Sequence, residues 1–386
     1  MQILNNSDLG AILISRREAK SRTAVLVCAT ALVIIAITAT VGCGNSMSTT
    51  NHQTQSQTQN TIDMALWVAN GTNVVEFLPG QLTAGTSDPA PHLANNSGVF
   101  GAPQGVAFDG NGDLWVIDGG TIATGGAAKP ALYEFTPAQL EALGTNNKPA
   151  PNVTINSTSF TFPQQAVFDL SGNLWVSDNM SNAVFEFTPA QLMASGTLTP
   201  NVSITSTPAF NGPLGIAFDA DGDLWIANNA TTTIFEFNAD ALPTNSGSVS
   251  LTPNVILSDD GKGSIQAPWA LVFDSQGNLW SSNANAPFTV VKFAKANLTA
   301  TGSPTPAITL SPTMSDGTTT LAAPNGIAFD NLGDLAAISS ATPFGTPLFG
   351  KTQLTTGGAI VPTTLLVGGT TTLNAPAGCN FGPLVN

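Results

Sequence analysis

Charged residues are scarce in this chain, and basic residues are the scarcest. Only 9% of its 386 residues are charged. All arginines precede residue 43, and removing the four basic and two acidic residues of positions 1–42 from the totals of 10 and 24 leaves 6 lysines against 22 acidic side chains. A body this acidic lacks the forked guanidinium donor for phosphate and is repelled by nucleic acid. We therefore exclude nucleic acid as a partner.

Histidine and cysteine are equally rare, with two and three residues respectively. His52 lies in a polar stretch and His92 at an outermost predicted strand, so neither is expected to reach a central site. Zinc held by histidines, a histidine base and a Ser-His-Asp triad are therefore not expected. After residue 43 the one remaining cysteine is Cys379, which cannot form an internal disulfide and is expected to be a buried apolar side chain.

The first 42 residues have the order of an export signal. Basic residues between Arg16 and Arg22 precede an apolar run over 23–41, followed by Gly42-Cys43. The run of 19 residues could also span a bilayer. Gly42-Cys43 resembles a bacterial lipoprotein cleavage box, although Thr40 departs from its preferred Leu. Lipidation of Cys43 is favoured over an uncleaved signal anchor and over simple secretion, and all three place the body outside the cytoplasm.

This segment predicts a protein of the bacterial cell envelope that contacts the membrane through its N-terminal anchor only. Residues 43–62 are polar and have no hydrophobic periodicity, which is typical of a disordered tether. The remaining residues, 63–386, are expected to form a single domain.

A unit of about fifty residues recurs through that domain. Its clearest copy, over 213–228, recurs at 103–118, 163–178, 268–283 and, degenerate, at 324–339. Each copy has an alternating strand, a turn of the form Asp-x-x-Gly and an apolar strand that begins with Leu-Trp, or with Leu-Ala in the degenerate copy. A second half adds two further strands. A short segment with Pro at its first position, such as 136–140, predicts one helical turn between them. Four strands per repeat predict one propeller blade.

The two ends of the domain are expected to share a blade. The first Leu-Trp pair, Leu66-Trp67, has no Pro-x-Gly strand before it, whereas residues 375–381 align with residues 323–329. The C-terminal segment would supply the missing inner strand and remove a free sheet edge. We therefore predict an all-β, six-bladed propeller of four-stranded blades, closed by its C-terminal strand and monomeric.

The motif Pro-x-Gly-Ile-Ala-Phe-Asp-x-x-Gly-x-Leu-Trp resembles the NHL repeat, and more distantly the streptogramin lyase and gluconolactonase propellers. The resemblance covers essentially the whole body and implies the propeller fold. The enzymes among the propellers that this repeat resembles use a histidine base with a metal, zinc held by histidines, or calcium held by Glu, Asn and Asp around the axis. The scarcity of histidine argues against the first two, and no Glu lies where the inner strands begin.

One group of candidate site residues ends the second strand of each repeat. Short oxygen-bearing side chains there could bind Ca²⁺ or Mg²⁺ in the central channel, or sugar hydroxyls. The alternative, which we favour, is that they cap turns through the backbone. The main candidates are Asp118, Asp178, Asn228 and Asn283, with Asn70 and Ser339 in the other repeats.

A second group follows the proline of each inner strand and varies from repeat to repeat. Variation within a repeat is where specificity would be expected. Trp269 could be an aromatic platform for a sugar or apolar ligand, or it could pack locally under a loop. The group is Gln104, Gln164, Leu214, Trp269, Asn325 and Ala377.

Two further repeated features are interpreted as structural. The stretch Asp219-x-Asp221-Gly222-Asp223 resembles a calcium loop but lacks the downstream bidentate Glu, so a turn is expected. One third-strand position carries an acidic residue in four repeats and Lys292 in the fifth, and a contact between Glu236 and Lys292 is expected. The acidic residues are Glu76, Glu134, Glu186 and Glu236.

These observations favour a surface-tethered binding or scaffold module that recognises a protein or a glycan without catalysis and without a resident cofactor. The alternative is a metal-assisted lyase or lactonase that uses the Asn/Asp ring at the channel mouth. Propellers host unrelated chemistries, so the fold cannot decide between them.

Overall fold

The computed structural model describes residues 64–83, 88–120, 129–145, 147–313, 321–341, 345–367 and 371–384. The predicted signal segment, tether and lipidation site at Cys43 lie outside these ranges. Among the described residues, no helix has both the length and the apolar character needed to cross a membrane.

The described chain forms six radial sheets, as predicted. The inner strands are β4 (Pro103–Phe108), β8 (Pro163–Phe168), β13 (Pro213–Phe218), β18 (Pro268–Phe273), β22 (Pro324–Phe329) and β27 (Pro376–Pro383). The second strands are β1 (Met64–Asn70), β5 (Leu114–Asp118), β9 (Leu174–Asp178), β14 (Leu224–Asn228), β19 (Leu279–Asn283) and β23 (Leu335–Ser339). Inner strands of neighbouring sheets contact one another around the whole ring.

Two further strands complete each blade towards the outside. The third strands are β2 (Asn73–Phe77), β6 (Ala131–Phe135), β10 (Ala183–Phe187), β15 (Thr233–Phe237), β20 (Thr289–Phe293) and β24 (Gly345–Phe349). The outer strands are β3 (Leu93–Asn95), β7 (Val153–Asn156), β12 (Val202–Ser206), β17 (Val255–Ser258), β21 (Ile308–Pro312) and β26 (Thr364–Val367). We number the blades by their second strands, so blade 1 contains β1 and blade 6 contains β23.

The C-terminal strand closes the ring as the sequence predicted. Strand β27 pairs with β1 in antiparallel register from Met64–Pro383 to Asn70–Pro376, so blade 1 has the order β27-β1-β2-β3. The closure therefore consists of an antiparallel ladder that is interrupted only by a register shift between Ala69 and Asn70.

Short helices lie between the third and outer strands, except for one turn between the second and third strands of blade 4. The predicted helical turns are confirmed as α1 (Pro137–Glu141) and α2 (Pro189–Leu192), each with a Thr N-cap and Pro at the start. Single 3₁₀ turns occur at Pro79–Gln81, Ala142–Gly144, Asn229–Thr231, Ala239–Ala241, Lys295–Asn297 and Gln353–Thr355.

Connections from one blade also cover the outer edge of the preceding blade, which the sequence did not predict. Three of them add a parallel fifth strand: β11 (Gly196–Thr197) on β7, β16 (Gly247–Leu251) on β12, and β25 (Gly358–Ile360) on β21. A single bridge between Leu257 and Gly302 does the same for blade 4. The exposed backbone groups of these edges are thereby paired.

The core consists of six apolar clusters, one between each pair of neighbouring blades. At five of these interfaces the tryptophan of the Leu-Trp motif meets, edge to face, the phenylalanine that ends the next inner strand. Centroid separations run from 5.7 Å for Trp280–Phe329 to 6.3 Å for Trp115–Phe168. Such pairs add to area burial and explain why the motif repeats.

Candidate functional site

The residues that end the second strands are buried caps of the loops that precede the inner strands. Asp118, with no exposed surface, accepts hydrogen bonds from the amides of Gly101, Ala102 and Gly120 at 2.7, 3.0 and 2.6 Å. Burial raises the pKa of the Asp118 carboxyl, and these amides partly oppose that rise. The carboxylate therefore joins the two loops that meet beside it.

The same arrangement recurs around the ring. Asp178 accepts from the amides of Thr161, Phe162 and Ser181 at 2.8 to 3.1 Å. The amide oxygens of two further members accept one backbone amide each, Asn228 at 2.6 Å and Asn283 at 2.9 Å. The two remaining positions, Asn70 and Ser339, also bond to the backbone of the loop before an inner strand.

Their geometry favours the capping role over ligand binding. The oxygens that a cation would need are buried and engaged by backbone donors. Within the described residues, no group of three His, Cys, Asp or Glu side chains is placed to hold a metal ion. Binding of Ca²⁺, Mg²⁺ or a sugar by Asp118, Asp178, Asn228 and Asn283 stays a prediction.

The variable residues that follow the inner-strand prolines are brought together. All six line one cavity of about 330 Å³ at the end of the channel where the inner strands begin, which we call the mouth cavity. Gln104, Gln164 and Asn325 contribute amide groups, and Asn179 adds a fourth from the loop after β9. The described lining of this cavity includes no charged side chain.

Trp269 differs from every other tryptophan of the chain. Five of the six are at most 3% exposed and belong to the blade interfaces, whereas Trp269 is half-buried and lines the mouth cavity. Its indole is therefore available to a ligand, as an aromatic platform requires.

A glutamine that the sequence reasoning missed crosses the channel below this cavity. Gln165 Nε2 donates to the carbonyl oxygen of Asn325 at 3.2 Å, from blade 3 to blade 6 on the opposite side of the ring. Gln165 replaces the glycine of the Pro-x-Gly motif, and its own amide donates to Ser177 Oγ at 3.3 Å. The sequence carried a signal for this residue. The two repeats that lack this glycine have a serine in the second strand, Ser177 or Ser282, which accepts from the amide of the replacing residue.

Beyond Gln165 the channel continues as a second cavity of about 300 Å³. The middles of the inner strands line it, with apolar side chains such as Val106, Ile216 and Phe273. Cys379 lies in this wall as a free thiol, half-buried, and burial raises its pKa above the ordinary range. No carboxylate belongs to the described lining of either channel cavity.

His92 lies where the sequence placed it, away from the channel. It precedes β3, and its Nδ1 is 2.8 Å from Glu76 Oε2. Asn152 and Asn201 make the equivalent contacts with Glu134 and Glu186 at 2.9 and 2.7 Å. The third-strand acidic residues are thus buried partners of the outer strands.

The remaining repeated motifs are turns and one corrected ion pair. Asp219 Oδ1 accepts the amides of Asp221 and Asp223 at 2.9 and 3.0 Å, which is turn geometry. The expected contact between Glu236 and Lys292 is wrong: Lys292 Nζ lies 3.3 Å from Asp274 in its own blade. The Lys292 side chain therefore lies along its own blade, towards the turn that contains Asp274.

Structural comparison places the fold among propellers of several kinds. A nidogen/laminin complex structure matches with TM-score 0.55 and 14% identity, over 84% of this chain and 99% of that one. A protein of unknown function from Bacteroides caccae matches with TM-score 0.52 and 10% identity, over 83% and 99%. A candidate 6-phosphogluconolactonase from Bacteroides fragilis matches with TM-score 0.50 and 13% identity, over 85% and 99%.

No family model and no curated protein matches the chain. These three structural matches are below 25% identity, so they show the fold and not the activity. The chain is a six-bladed β-propeller, and its repeat resembles the NHL repeat.

Proposed function

We propose that this protein is an exported, membrane-tethered propeller that binds a glycan or a protein at the mouth cavity and carries out no catalysis. The observation that carries the proposal is the partial exposure of Trp269 beside four amide side chains in one cavity, while every other tryptophan is buried. Ligand sites commonly combine an apolar surface with a few convergent polar groups.

The chemistry of the mouth cavity favours a neutral carbohydrate over a charged peptide. Side-chain amides offer both donors and acceptors, which suits hydroxyl groups. An indole face packs against the apolar face of a sugar ring. The described lining has no charged side chain to pair with an ionic ligand, and the acidic body repels anionic polymers.

The export part of the proposal rests on the basic and apolar order of residues 1–42 and on Cys43. A single body cysteine and a surface poor in charge agree with an envelope protein held together by packing. Globomycin-sensitive processing and radiolabelled palmitate incorporation, each lost in Cys43→Ala, would test the lipid anchor.

Titration of the full-length protein with neutral oligosaccharides by calorimetry tests the binding function. Trp269→Ala is expected to weaken binding at least about tenfold, as aromatic anchors do at binding sites. Leu170→Ala, at a fully exposed apolar residue of the opposite face, is the matched control and should leave affinity unchanged. Equal affinity of Trp269→Ala and wild type would overturn the mouth cavity as the site.

Calorimetric titration with divalent ions distinguishes the binding module from the alternative, a metal-assisted lyase or lactonase. That function requires a divalent ion at the mouth, and Asp178→Ala would abolish its binding. Heat from Ca²⁺, Mg²⁺ or Zn²⁺ that depends on Asp178 would favour the enzyme over the binding module.

A further inference from the structure

The buried third-strand acidic residues differ in one blade. In blades 1, 2 and 3 the carboxylate meets an N–H donor from the residue that precedes the outer strand: His92, Asn152 or Asn201. Glu236 of blade 4 is only 3% exposed and its Oε1 has no hydrogen-bond partner, and the residue at the equivalent place in blade 4, Asn254, bonds to Asn238 instead. An unmatched buried carboxylate oxygen is costly, so this position calls for a donor.

A single residue of the neighbouring helical turn explains the missing donor. In blades 2 and 3 the amide that starts the turn donates to a glutamine, Gln139 or Gln191, at 2.9 and 3.0 Å. Blade 4 has Ala241 at that place, so the Asn238 amide donates to Asn254 Oδ1 at 3.0 Å instead. Asn254 is thereby diverted from Glu236. Its counterparts in blades 2 and 3 contact the acidic residues of their own blades, Glu134 and Glu186.

Glu236 borders a cavity of about 290 Å³ between blades 4 and 5, which we call the blade-4 pocket. Three further carboxylates line it, from Asp219, Asp221 and Asp223, and one cation, Lys295. Lys295 Nζ lies 3.9 Å from Asp221, and both side chains are largely exposed to solvent. The pocket therefore carries a negative excess that favours a cation.

Blade 5 shows which kind of cation fits this location. At the register of Glu236 it carries Lys292, whose ammonium lies 3.3 Å from Asp274 and 5.3 Å from the centre of the Trp280 ring. Asp274 Oδ2 accepts a hydrogen bond from Trp280 Nε1 at 3.0 Å, as Asp219 Oδ2 accepts one from Trp225 Nε1 at 3.1 Å. An ammonium from the chain itself thus occupies the equivalent place in blade 5.

We propose that the blade-4 pocket binds a primary ammonium group, which donates hydrogen bonds to Glu236 and lies against the turn carboxylates beside Trp225. Glu236 provides the acceptor that has no partner, and the neighbouring blade provides the same aromatic and carboxylate surroundings for Lys292. A divalent metal is disfavoured because no three described His, Cys, Asp or Glu side chains converge.

The first test titrates n-butylammonium chloride into the full-length protein and follows saturation by ligand-observed NMR. Saturable binding is expected, with at least a tenfold loss in Glu236→Gln. Glu186→Gln is the matched control, because Glu186 already has Asn201 as donor, and it should bind as wild type does. Equal binding by wild type and Glu236→Gln overturns the proposal, and so does equal binding of tetramethylammonium, which has no N–H donor.

A second variant removes the site without changing its charge. Ala241→Gln supplies the missing acceptor for the Asn238 amide, which frees Asn254 to donate to Glu236 as in blades 2 and 3. Binding of n-butylammonium is expected to fall at least tenfold while the melting temperature stays the same or rises. Undiminished binding in this folded variant would contradict the assignment of Glu236 Oε1 as the acceptor.

Acid should weaken the same binding. Burial, followed by the charges of Asp223 and Asp219, raises the pKa of Glu236 to about 7. The charged groups that face Glu236 in the pocket are Asp219, Asp221, Asp223 and Lys295. Protonated Glu236 cannot act as the anionic acceptor, so affinity should fall at least tenfold from pH 8 to pH 5 in wild type. Affinity that is independent of pH would overturn the role of this carboxylate.

Discussion

The interface between blades 4 and 5 and the seam between blades 6 and 1 use the same register positions differently. Blade 4 places Trp225 opposite Glu236, and Trp225 meets Phe273 of blade 5 at 5.9 Å. Blade 6 places Ala336 opposite Leu348, and both are buried in the apolar seam cluster. An aromatic and an acidic residue are thus replaced together by a small and a medium-sized apolar residue.

The difference shows that the Leu-Trp motif and ring closure are separate requirements. At the seam, closure depends on the ladder between β1 and β27, whose partners extend from Met64 to Asn70. This ladder lies within blade 1, and blade 6 packs against blade 1 through apolar side chains such as Ala336 and Leu348 without the stacked aromatic pair. At the other five interfaces the stack repeats, since packing between blades is what holds them.

The largest expected effect is the loss of β27. Deletion of residues 376–386 removes the inner strand of blade 1 and exposes the edge of β1, so we expect no cooperative thermal unfolding and aggregation in size-exclusion chromatography. Deletion of residues 384–386, which follow β27, is the control and should leave the melting temperature within a few degrees of wild type. A normal melt of the longer deletion would show that the ring does not depend on the seam ladder.

A smaller effect is expected at an interface that has the stack. Trp225→Ala should lower the free energy of unfolding by about 3–5 kcal/mol, measured by urea denaturation, because Trp225 is 2% exposed and its loss leaves a cavity. Trp269→Ala makes the same chemical change at a half-buried residue outside these clusters and should cost about 1 kcal/mol or less. Equal costs at the two positions would mean that the interface stack adds no stability.

The smallest effect is a pH dependence of the free energy of unfolding, which distinguishes the interface between blades 4 and 5, with Glu236, from the seam. Burial raises the pKa of Glu236 to about 7, well above its value in an unfolded chain. The associated stabilisation is complete below the unfolded pKa and is lost as pH rises through about 7. Between pH 5 and 8, wild type should therefore lose on the order of 2 kcal/mol relative to Glu236→Gln in urea denaturation.

Parallel unfolding curves for wild type and Glu236→Gln across this range would contradict a titrating Glu236. Leu348 occupies the same register at the seam and has no charge to titrate, so Leu348→Met is a suitable control that should not alter the pH dependence.

Much of the mouth cavity and its surroundings could be predicted from the sequence, but not which hydrogen bonds its polar side chains make. The proline-following positions were grouped correctly, because a repeat places equivalent residues around one axis. The strand-end residues Asp118 and Asp178 were equally grouped and backbone capping was the favoured role, but only the fold shows which amides their oxygens accept from. Gln165 was missed, although its replacement of a repeated glycine was visible, because its partner Asn325 belongs to the opposite blade.

The sequence by itself determined the number of blades, the order of strands within them and the closure by the C-terminal segment. Local pattern suffices for these, since alternation, turn chemistry and register repeat in every copy. Tertiary structure alone decided where a connection of one blade pairs with the outer strand of the preceding blade, which carboxylates accept a hydrogen bond, and which polar groups bond across the channel. Those outcomes depend on distances between residues far apart in the chain, as for Glu236, whose donor is diverted by a helical turn without glutamine.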